Sequence, residues 1–298
     1  IKGTVLKNFE ELGIQPGFIK GLAELNIVEP TDIQQKVIPV LLAGATDIVA
    51  QAQTGTGKTA AYGLPLLHQM DSNNNAIQGL VLCPTRELGK QVAKQLFRFT
   101  KYTDKIFTEA VYGGEHIDRQ IAALQRPTHI VVATPGRLID LLKRKAVDLT
   151  AVKTVILDEA DEMLDMGFFD DVQEIIAEVP EKTIWMFSAT MPKPILNLIN
   201  KHFCDHELVR VTKKILTSDS IDQKFCVVNR RDQAEALCRF LDYTQGVYGI
   251  VFCRTKVGTK ELTDELNMRG FPSDALHGDM SQEQRDLTMK KFKQKKIK

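Results

Sequence analysis

Long apolar runs are missing from this sequence, and none of its apolar segments reaches the length of about 20 residues that spans a bilayer. A basic segment followed by an apolar leader and a cleavage site is also missing. These two absences argue against a membrane-spanning protein and against a secreted one. We therefore expect a cytoplasmic protein that has no membrane partner.

Cysteine is scarce, with five residues scattered over the 298-residue chain and none at a spacing typical of a metal site or a disulfide framework. Cys83, Cys226 and Cys253 lie in apolar surroundings, which predicts buried positions in strands. A structural metal cluster or a disulfide scaffold is therefore not expected.

A large excess of one charge sign is absent too, because 39 basic and 38 acidic residues leave a formal net charge of +1. This balance excludes a polycation that binds nucleic acid through bulk charge. Contacts with nucleic acid must instead depend on the local placement of basic side chains and backbone donors.

What the sequence does contain is a regular alternation of apolar runs with turns and helical patterns. Six such runs lie at residues 47–50, 79–83, 108–112, 129–134, 152–157 and 183–188. Their hydrophobicity is continuous, as expected of parallel strands that are covered on both faces. Sheets of this kind bind ligands at the carboxyl ends of their strands. The predicted fold class is therefore α/β with a parallel sheet.

A polar stretch divides the chain after these runs. We predict a first domain over residues 1–207, a linker over 208–220 and a second domain over 221–298. For the second domain we predict strands at 223–228, 248–253 and 273–277 and helices at 232–244 and 258–269. Common domains have about 100 to 150 residues. We therefore expect the second domain to be incomplete.

A glycine-rich loop follows the first predicted strand. Residues 53–59 have the sequence Gln-Thr-Gly-Thr-Gly-Lys-Thr, and a helical pattern begins at Thr59. Strand, loop and helix in this order wrap nucleotide phosphates with backbone N–H groups. Ala52 takes the place of the usual first glycine of this pattern. The pattern is kept at Gly55, Gly57, Lys58 and Thr59.

A second segment, residues 155–161, has the sequence Val-Ile-Leu-Asp-Glu-Ala-Asp, in which three acids follow a buried strand. Taken alone, these acids are also typical of a solvated helix N-terminus, where the helix dipole favours negative charge. Taken with the upstream loop, they predict phosphoryl transfer with a magnesium ion.

Seven blocks in this order resemble the DEAD-box RNA helicases of superfamily 2, in their bacterial type. They are Pro-Thr-Asp-Ile-Gln at 30–34, the Gly-Lys-Thr loop, Pro-Thr-Arg-Glu-Leu at 84–88, Gly-Gly at 113–114, Thr-Pro-Gly-Arg at 134–137, Asp-Glu-Ala-Asp at 158–161 and Ser-Ala-Thr at 188–190. The resemblance implies a RecA-like domain with a P-loop and a parallel sheet, followed by an incomplete second RecA-like α/β domain.

The resemblance assigns the phosphate chemistry to particular residues. It implies that Thr59 and Asp158 hold Mg²⁺ and that Glu159 orients and deprotonates the attacking water. It also implies that Asp161 is coupled to Ser188 and Thr190. The implied catalytic residues are Lys58, Asp158, Glu159, Asp161, Ser188 and Thr190.

ATP is the nucleotide that the resemblance implies, with Gln34 contacting the adenine edge. Ile27 stands where the family usually has an aromatic ring, so apolar contact is kept but the stacking energy of roughly 1 kcal/mol is in doubt. The implied ATP-binding residues are Phe9, Ile27, Thr31, Gln34, Ala52, Gln53, Thr54, Gly55, Thr56, Gly57, Lys58 and Thr59.

RNA is the implied partner, and the implied contacts use small or basic residues on loops that follow strands. Glycines allow close backbone approach, while hydroxyls, helix N-termini and arginines donate to phosphates. None of these groups recognises base edges, so we expect sequence-independent binding of single-stranded RNA or short duplexes. The implied residues are Pro84, Thr85, Arg86, Gly114, Thr134, Gly136 and Arg137 in the first domain and Arg254, Thr255 and Gly278 in the second.

The function implied is that of a monomeric ATP-dependent RNA helicase, in which two RecA-like domains close around ATP and RNA and separate short duplexes. Two alternatives remain open from the sequence. One is an ATP-gated RNA clamp that does not unwind, and the other is a DNA translocase of the same superfamily. Competition between RNA and DNA for binding separates the second alternative from the helicase.

The family's last motifs, one of which supplies an arginine finger, are not found before Lys298. An arginine finger contributes about 10³- to 10⁵-fold in rate in other phosphoryl-transfer enzymes. We therefore expect the 298-residue chain to bind ATP but to hydrolyse it slowly. RNA-stimulated ATPase rates of this chain and of a version extended through those motifs test the expectation, and comparable turnover in the two would contradict it.

Overall fold

The computed structural model describes residues 8–44, 46–211, 222–244 and 246–298. The chain divides into two compact units, Ile1–Lys214 and Ile215–Lys298, and each is described by itself. Within the described residues, no helix is long and apolar enough to cross a membrane.

The first unit contains a seven-stranded parallel sheet. Its strands are β1 (Asp47–Gln51), β2 (Gly79–Leu82), β3 (Thr108–Val111), β4 (Ile130–Ala133), β5 (Thr154–Asp158), β6 (Thr183–Ser188) and β7 (His206–Arg210). They lie side by side in the order β3-β4-β2-β5-β6-β1-β7. The first six correspond to the six apolar runs, so the predicted α/β fold class with a parallel sheet is confirmed.

The seventh strand, β7, was not predicted. It lies at the edge of the sheet beside β1, and most of its side chains are exposed. Since an edge strand with an exposed surface needs no apolar run, its sequence has no strand signal. The first residues of the predicted linker, 208–210, therefore belong to the sheet. Nearly all of the remaining linker, residues 212–220, lies outside the described residues.

Helices cover both faces of this sheet. They are α1 (Pro16–Ala23), α2 (Asp32–Ala43), α3 (Lys58–His68), α4 (Arg86–Phe99), α5 (Ile117–Leu124), α6 (Pro135–Lys143), α7 (Ala160–Asp165), α8 (Phe169–Glu178) and α9 (Lys193–His202). Alternate residues of β6 point to opposite faces, so Trp185 and Phe187 join one core cluster while Ile184 and Met186 join the other. Burial on both faces explains why the strands are continuously apolar.

Asp47, at the start of β1, forms hydrogen bonds with two other segments of this unit. Its carboxylate is buried and accepts the backbone N–H of Ile184 at 2.7 Å and that of Cys204 at 2.9 Å. Ile184 lies in β6, and Cys204 lies just before β7. The carboxylate therefore satisfies two backbone donors, one of which, the N–H of Ile184, is buried.

The second unit contains α10 (Gln233–Tyr243), α11 (Lys256–Met268) and α12 (Gln282–Lys293). The first two confirm the predicted helices, with small shifts at their ends. The three predicted strands are wrong, because the described residues of this unit form helices, turns and irregular segments. Phe225 and Phe252, in two of those segments, are 93% and 92% exposed. An apolar run becomes a strand only when a neighbour accepts its ladder hydrogen bonds, and these segments pair with no described strand.

The cysteine predictions are correct in part. All five cysteines are free, and Cys83 is buried as predicted. Cys226 is exposed and Cys253 is half-buried, so the prediction of buried strand positions is wrong for both. The reason is the same as for the strands, since burial of these side chains depends on a paired sheet, and the described residues of the second unit form none.

Replacing Asp47 with Ala should destabilise the first unit, because the N–H groups of Ile184 and Cys204 would lose their acceptor and that of Ile184 is buried. We expect the free energy of unfolding to fall by about 2 to 4 kcal/mol. The fluorescence of Trp185, the one tryptophan of the sequence and fully buried, reports this transition during urea unfolding. Exposed Asp104 provides the control variant Asp104→Ala, and equal stability of the two variants would contradict the assignment.

Candidate active site

The order of the strands sorts the predicted site residues into two groups. Because all the strands are parallel, their carboxyl ends meet at one edge of the sheet. The neighbouring strands β5, β6 and β1 are followed by the segments predicted for phosphate chemistry. The neighbouring strands β3, β4 and β2 are followed by the segments predicted for RNA.

The glycine-rich loop joins β1 to α3. Ala52 is buried in the core, and its N–H donates to the carbonyl of Ser188 at 3.0 Å, which ties the start of the loop to the end of β6. Gly57 precedes α3 with a φ of 90°. A Cβ at Gly57 would lie 2.4 Å from Nε2 of Gln34. Both the backbone conformation and the close approach therefore require glycine at this position.

Hydrogen bonds from Gln34 and Thr31 connect the start of α2 to this loop. The side-chain amide of Gln34 donates to the carbonyl of Gly57 at 3.0 Å and accepts the N–H of Thr31 at 2.9 Å. The Thr31 hydroxyl donates to the carbonyl of Thr56 at 2.8 Å. An amide has a second N–H and a second lone pair. The adenine contact predicted for Gln34 would have to use these remaining groups.

A pocket of about 330 Å³ opens beside the loop and α2. This volume lies at the lower end of the range for small-molecule sites. Its lining consists of Thr31, Asp32, Ile33, Gln53, Gly55, Thr56 and Val211. Phe9 and Ile27 are not part of this lining, since Phe9 is buried in the core and Ile27 packs against the same cluster. The structure therefore places these two residues in or against the hydrophobic core, and their contact with ATP stays a prediction.

Lys58 is the first residue of α3 and is only 6% exposed. Its Nζ has no hydrogen-bond partner among the described residues. A buried ammonium group is costly unless an anion pairs with it. Here it lies at a helix N-terminus, beside a glycine-rich loop with the backbone N–H groups of residues such as Thr54 and Gly55. This combination fits a bound phosphate group.

Asp158 ends β5 with its carboxylate 2% exposed. One carboxylate oxygen, Oδ2, accepts the hydroxyl of Tyr62 at 2.8 Å, and Oδ1 accepts the N–H of Glu159 at 3.1 Å. Burial raises the pKa of the Asp158 carboxyl above its ordinary value, while the charge of Lys58 opposes that rise. The contact of Tyr62 with Asp158 was not predicted from the sequence. The sequence shows only that a tyrosine lies one helical turn after Lys58 in an apolar helix.

Glu159 precedes α7 in the left-handed region, with a φ of 51°. For a residue other than glycine, such a backbone conformation costs about 1 to 3 kcal/mol. Burial, followed by the charge of Asp158, raises the pKa of the Glu159 carboxyl. A carboxylate with a raised pKa accepts a proton more readily, as a general base must. The sequence contains no signal of this backbone conformation.

Asp161 lies one residue into α7, near the end of β6. Its Oδ2 accepts both the N–H and the hydroxyl of Thr190, each at 2.8 Å, and the Ser188 hydroxyl donates to the carbonyl of Thr190 at 2.7 Å. Burial opposes ionisation of Asp161, but the hydrogen bonds from Thr190 and Ser188 outweigh it and hold its pKa below the ordinary value. The structure thus brings these three predicted residues into one network.

The predicted RNA residues of the first unit follow β2, β3 and β4. Pro84 is buried, and the Thr85 hydroxyl caps α4 by accepting the N–H of Leu88 at 3.2 Å. Thr134 precedes α6, on which Gly136 lies. Gly114, after β3, has a φ of 82°. These residues share the carboxyl edge of the sheet, and two of them occupy helix N-termini whose N–H groups suit phosphates.

The two arginines of this group are largely covered by their own protein. Arg137 donates to the side-chain oxygen of Gln120 at 2.9 Å and to the carbonyl of Glu115 at 3.0 Å. Arg86 lies beside Glu87 and over the ring of Tyr112, with 5.9 Å between the guanidinium carbon and the ring centroid. The guanidinium of Arg137 therefore also orders the segment between β3 and α5. The contacts of Gln120 and Tyr112 with these arginines were not predicted from the sequence, because neither residue belongs to a motif.

In the second unit, the hydroxyl of Thr255 caps α11 by accepting the N–H of Gly258 at 3.0 Å, and Arg254 before it is exposed. Gly278 lies beside this helix start, since a Cβ there would come within 3.4 Å of the Lys256 side chain. The predicted RNA residues of this unit are therefore close to one another around the N-terminus of α11.

The residues present fit magnesium only together with a phosphate ligand. Among the described residues, no three His, Cys, Asp or Glu side chains group into a metal site. Thr59 and Asp158 offer one hydroxyl and one carboxylate. Magnesium is commonly bound in this way, by one or two carboxylates with water and the phosphates of a substrate.

Gly57→Ala should destabilise the first unit, because the added Cβ meets Gln34 and the φ is unfavourable. We expect a loss of about 2 to 4 kcal/mol in the free energy of unfolding. Gly55→Ala is the matched control, since Gly55 has a φ of 76° but nothing within 4 Å of the added Cβ, and should cost only about 1 kcal/mol.

The double variant Gly57→Ala with Gln34→Ala isolates the clash. Its loss in free energy of unfolding should be smaller than the two single losses added together, by at least about 1 kcal/mol, because the colliding side chain is gone. Urea unfolding followed through Trp185 measures all four proteins. Strict additivity would rule out the clash with Gln34 as the reason for glycine at this position.

Comparisons with known proteins show the family of the chain. The family profile described as DEAD/DEAH box helicase matches residues 31–198, and the profile described as helicase conserved C-terminal domain matches residues 232–298. The ATP-dependent RNA helicase CshA of Listeria monocytogenes is 43% identical over 293 residues, which cover 98% of this chain and 56% of that protein. The DEAD-box ATP-dependent RNA helicase CshA of Bacillus cereus is 42% identical over 294 residues, covering 98% of this chain and 55% of that protein.

Solved structures give the same result. A DEAD box protein from the hyperthermophile Methanococcus jannaschii is 43% identical, with a TM-score of 0.67 over 98% of this chain and 79% of that one. Dbp5 of S. cerevisiae bound to RNA and ADP BeF3 is 28% identical, with a TM-score of 0.87 over 98% of this chain and 74% of that one. The chain spans about half the length of the curated relatives that it matches. With a family profile over more than half of its residues and relatives above 40% identity, this chain belongs to the DEAD/DEAH box helicase family.

Proposed function

We propose that this chain is the motor part of an ATP-dependent RNA helicase, which binds ATP with magnesium, grips the RNA backbone and separates short duplexes. The observation that carries the proposal is the buried amine of Lys58, which has no hydrogen-bond partner within the described part of the chain. It lies among the loop, Asp158 and Glu159, where a nucleotide phosphate supplies the missing anion.

The hydrolytic step follows from the positions of the acids. Thr59 and Asp158 would hold a magnesium ion, which would supply positive charge to the phosphates of the nucleotide. Glu159 orients the attacking water and accepts its proton, consistent with its raised pKa. Asp161 links this step to the end of β6 through Thr190. ATP binds with its phosphates on the loop and its base towards Gln34.

The RNA part of the proposal concerns the edge formed by β2, β4 and β3. Helix N-termini at Thr85 and Thr134 and the backbone near Gly114 offer donors to phosphates. Such donors do not distinguish bases, so binding depends on the RNA backbone. The names of the bacterial relatives and the RNA bound to the yeast protein support this assignment for the present chain.

The substitution Glu159→Gln tests the hydrolytic assignment. It keeps the shape and the backbone while removing the proton acceptor, so the ATPase rate should fall by about 10²- to 10⁴-fold. Binding of nucleotide and of RNA should be unchanged. A phosphate-release assay sensitive to a slow basal rate, together with fluorescence anisotropy of labelled RNA, measures both quantities.

Exposed Glu162, which lies three residues further along the chain, provides the matched control Glu162→Gln and should retain full turnover. Equal ATPase rates for the two variants would remove Glu159 from the mechanism. A duplex-release assay on the same proteins separates helicase from clamp. Loss of duplex release in Glu159→Gln supports a helicase, whereas RNA binding that survives the substitution, with no duplex release by either protein, supports an ATP-gated RNA clamp.

A further inference from the structure

Tyr62 buries a polar group in the middle of the first unit. The residue is 0% exposed, and its ring packs against Phe187 with 5.1 Å between the ring centroids. A phenol in such a place needs a hydrogen-bond partner, because an unsatisfied hydroxyl would be costly. Phenylalanine would fill the same space without that requirement. Packing alone therefore does not explain why a hydroxyl is present at this position.

The partner of this hydroxyl is one of the two residues proposed to hold magnesium. It donates to Oδ2 of Asp158 at 2.8 Å. A phenol has an ordinary pKa of about 10 and therefore acts as a donor near neutral pH.

The second oxygen of Asp158 accepts the N–H of Glu159 at 3.1 Å. Two donors, one from α3 and one from the backbone after β5, therefore set the rotation of this carboxylate. Rotation about a terminal carboxyl bond is otherwise broad. Groups that hydrogen-bond to metal-binding carboxylates orient them and tune the affinity for the metal.

We propose that Tyr62 is a positioning residue for magnesium, whose hydroxyl holds Asp158 in the orientation that binds the ion together with the nucleotide. The inference rests on the proposed function, since it concerns the magnesium of the proposed ATP site. In this proposal Tyr62 touches neither the nucleotide nor the ion and acts through the carboxylate of Asp158.

The variant Tyr62→Phe tests this proposal in the whole 298-residue chain. It removes the hydroxyl and keeps the ring against Phe187. The probe is ADP with a fluorescent group on its ribose, titrated first in EDTA and then at fixed concentration with MgCl₂. We expect unchanged affinity in EDTA and a magnesium midpoint raised by about 10- to 100-fold. Neither readout depends on hydrolysis.

Tyr102→Phe is the matched control, because it removes a phenol that bonds to exposed Glu24, away from the site. It should keep the midpoint of the unaltered chain. A normal midpoint in Tyr62→Phe would overturn the proposal. Equal weakening of binding with and without magnesium would also overturn it, since the hydroxyl would then support the fold alone. If the unaltered chain bound ADP with no dependence on magnesium, the proposed function itself would fail, and this inference with it.

Discussion

The parallel pairing of β1, β6 and β5 is the constraint on which the site depends. In the register of the sheet, Gln51 at the end of β1 lies opposite Ser188 at the end of β6, and Asp158 at the end of β5 lies opposite Phe187. These three ends therefore reach the same edge within one residue of each other. The loop that carries Lys58 begins at this edge, so segments distant in the sequence meet there without any further folding requirement.

Several polar side chains of the first unit each form hydrogen bonds with backbone groups. Gln34 binds the carbonyl of Gly57, the carboxylate of Asp47 binds two N–H groups at the opposite edge, and Asp161 binds the N–H of Thr190. Lys58 is the exception, because its buried Nζ makes no hydrogen bond within the described residues. A folded state that leaves a buried amine without a hydrogen bond is stabilised by an anion that supplies one. The same geometry that costs stability in the free protein therefore favours binding of a phosphate.

Much of this could be predicted from the sequence, and the failures have physical reasons. Six strands were predicted because burial on both faces leaves continuous apolar runs, while exposed β7 left none. The predicted strands around Phe225 and Phe252 failed because apolar residues report the capacity for burial, whereas a strand also requires a partner. Motif spacing predicted which loops carry the site. It could not identify Tyr62 or Gln120, whose importance lies in contacts made across the fold.

The conformation of Glu159 follows from what holds its neighbours. Its left-handed backbone costs energy, and such strain persists only where the surroundings over-determine it. Before it, Asp158 is held by the hydroxyl of Tyr62, and after it, Asp161 is held by two donors of Thr190. The chain must turn from strand to helix between these two anchored carboxylates, and the left-handed residue makes that turn. The hydrogen bonds between Asp161 and Thr190 therefore help to hold the backbone conformation of Glu159. They link the end of β6 to the residue proposed to activate water.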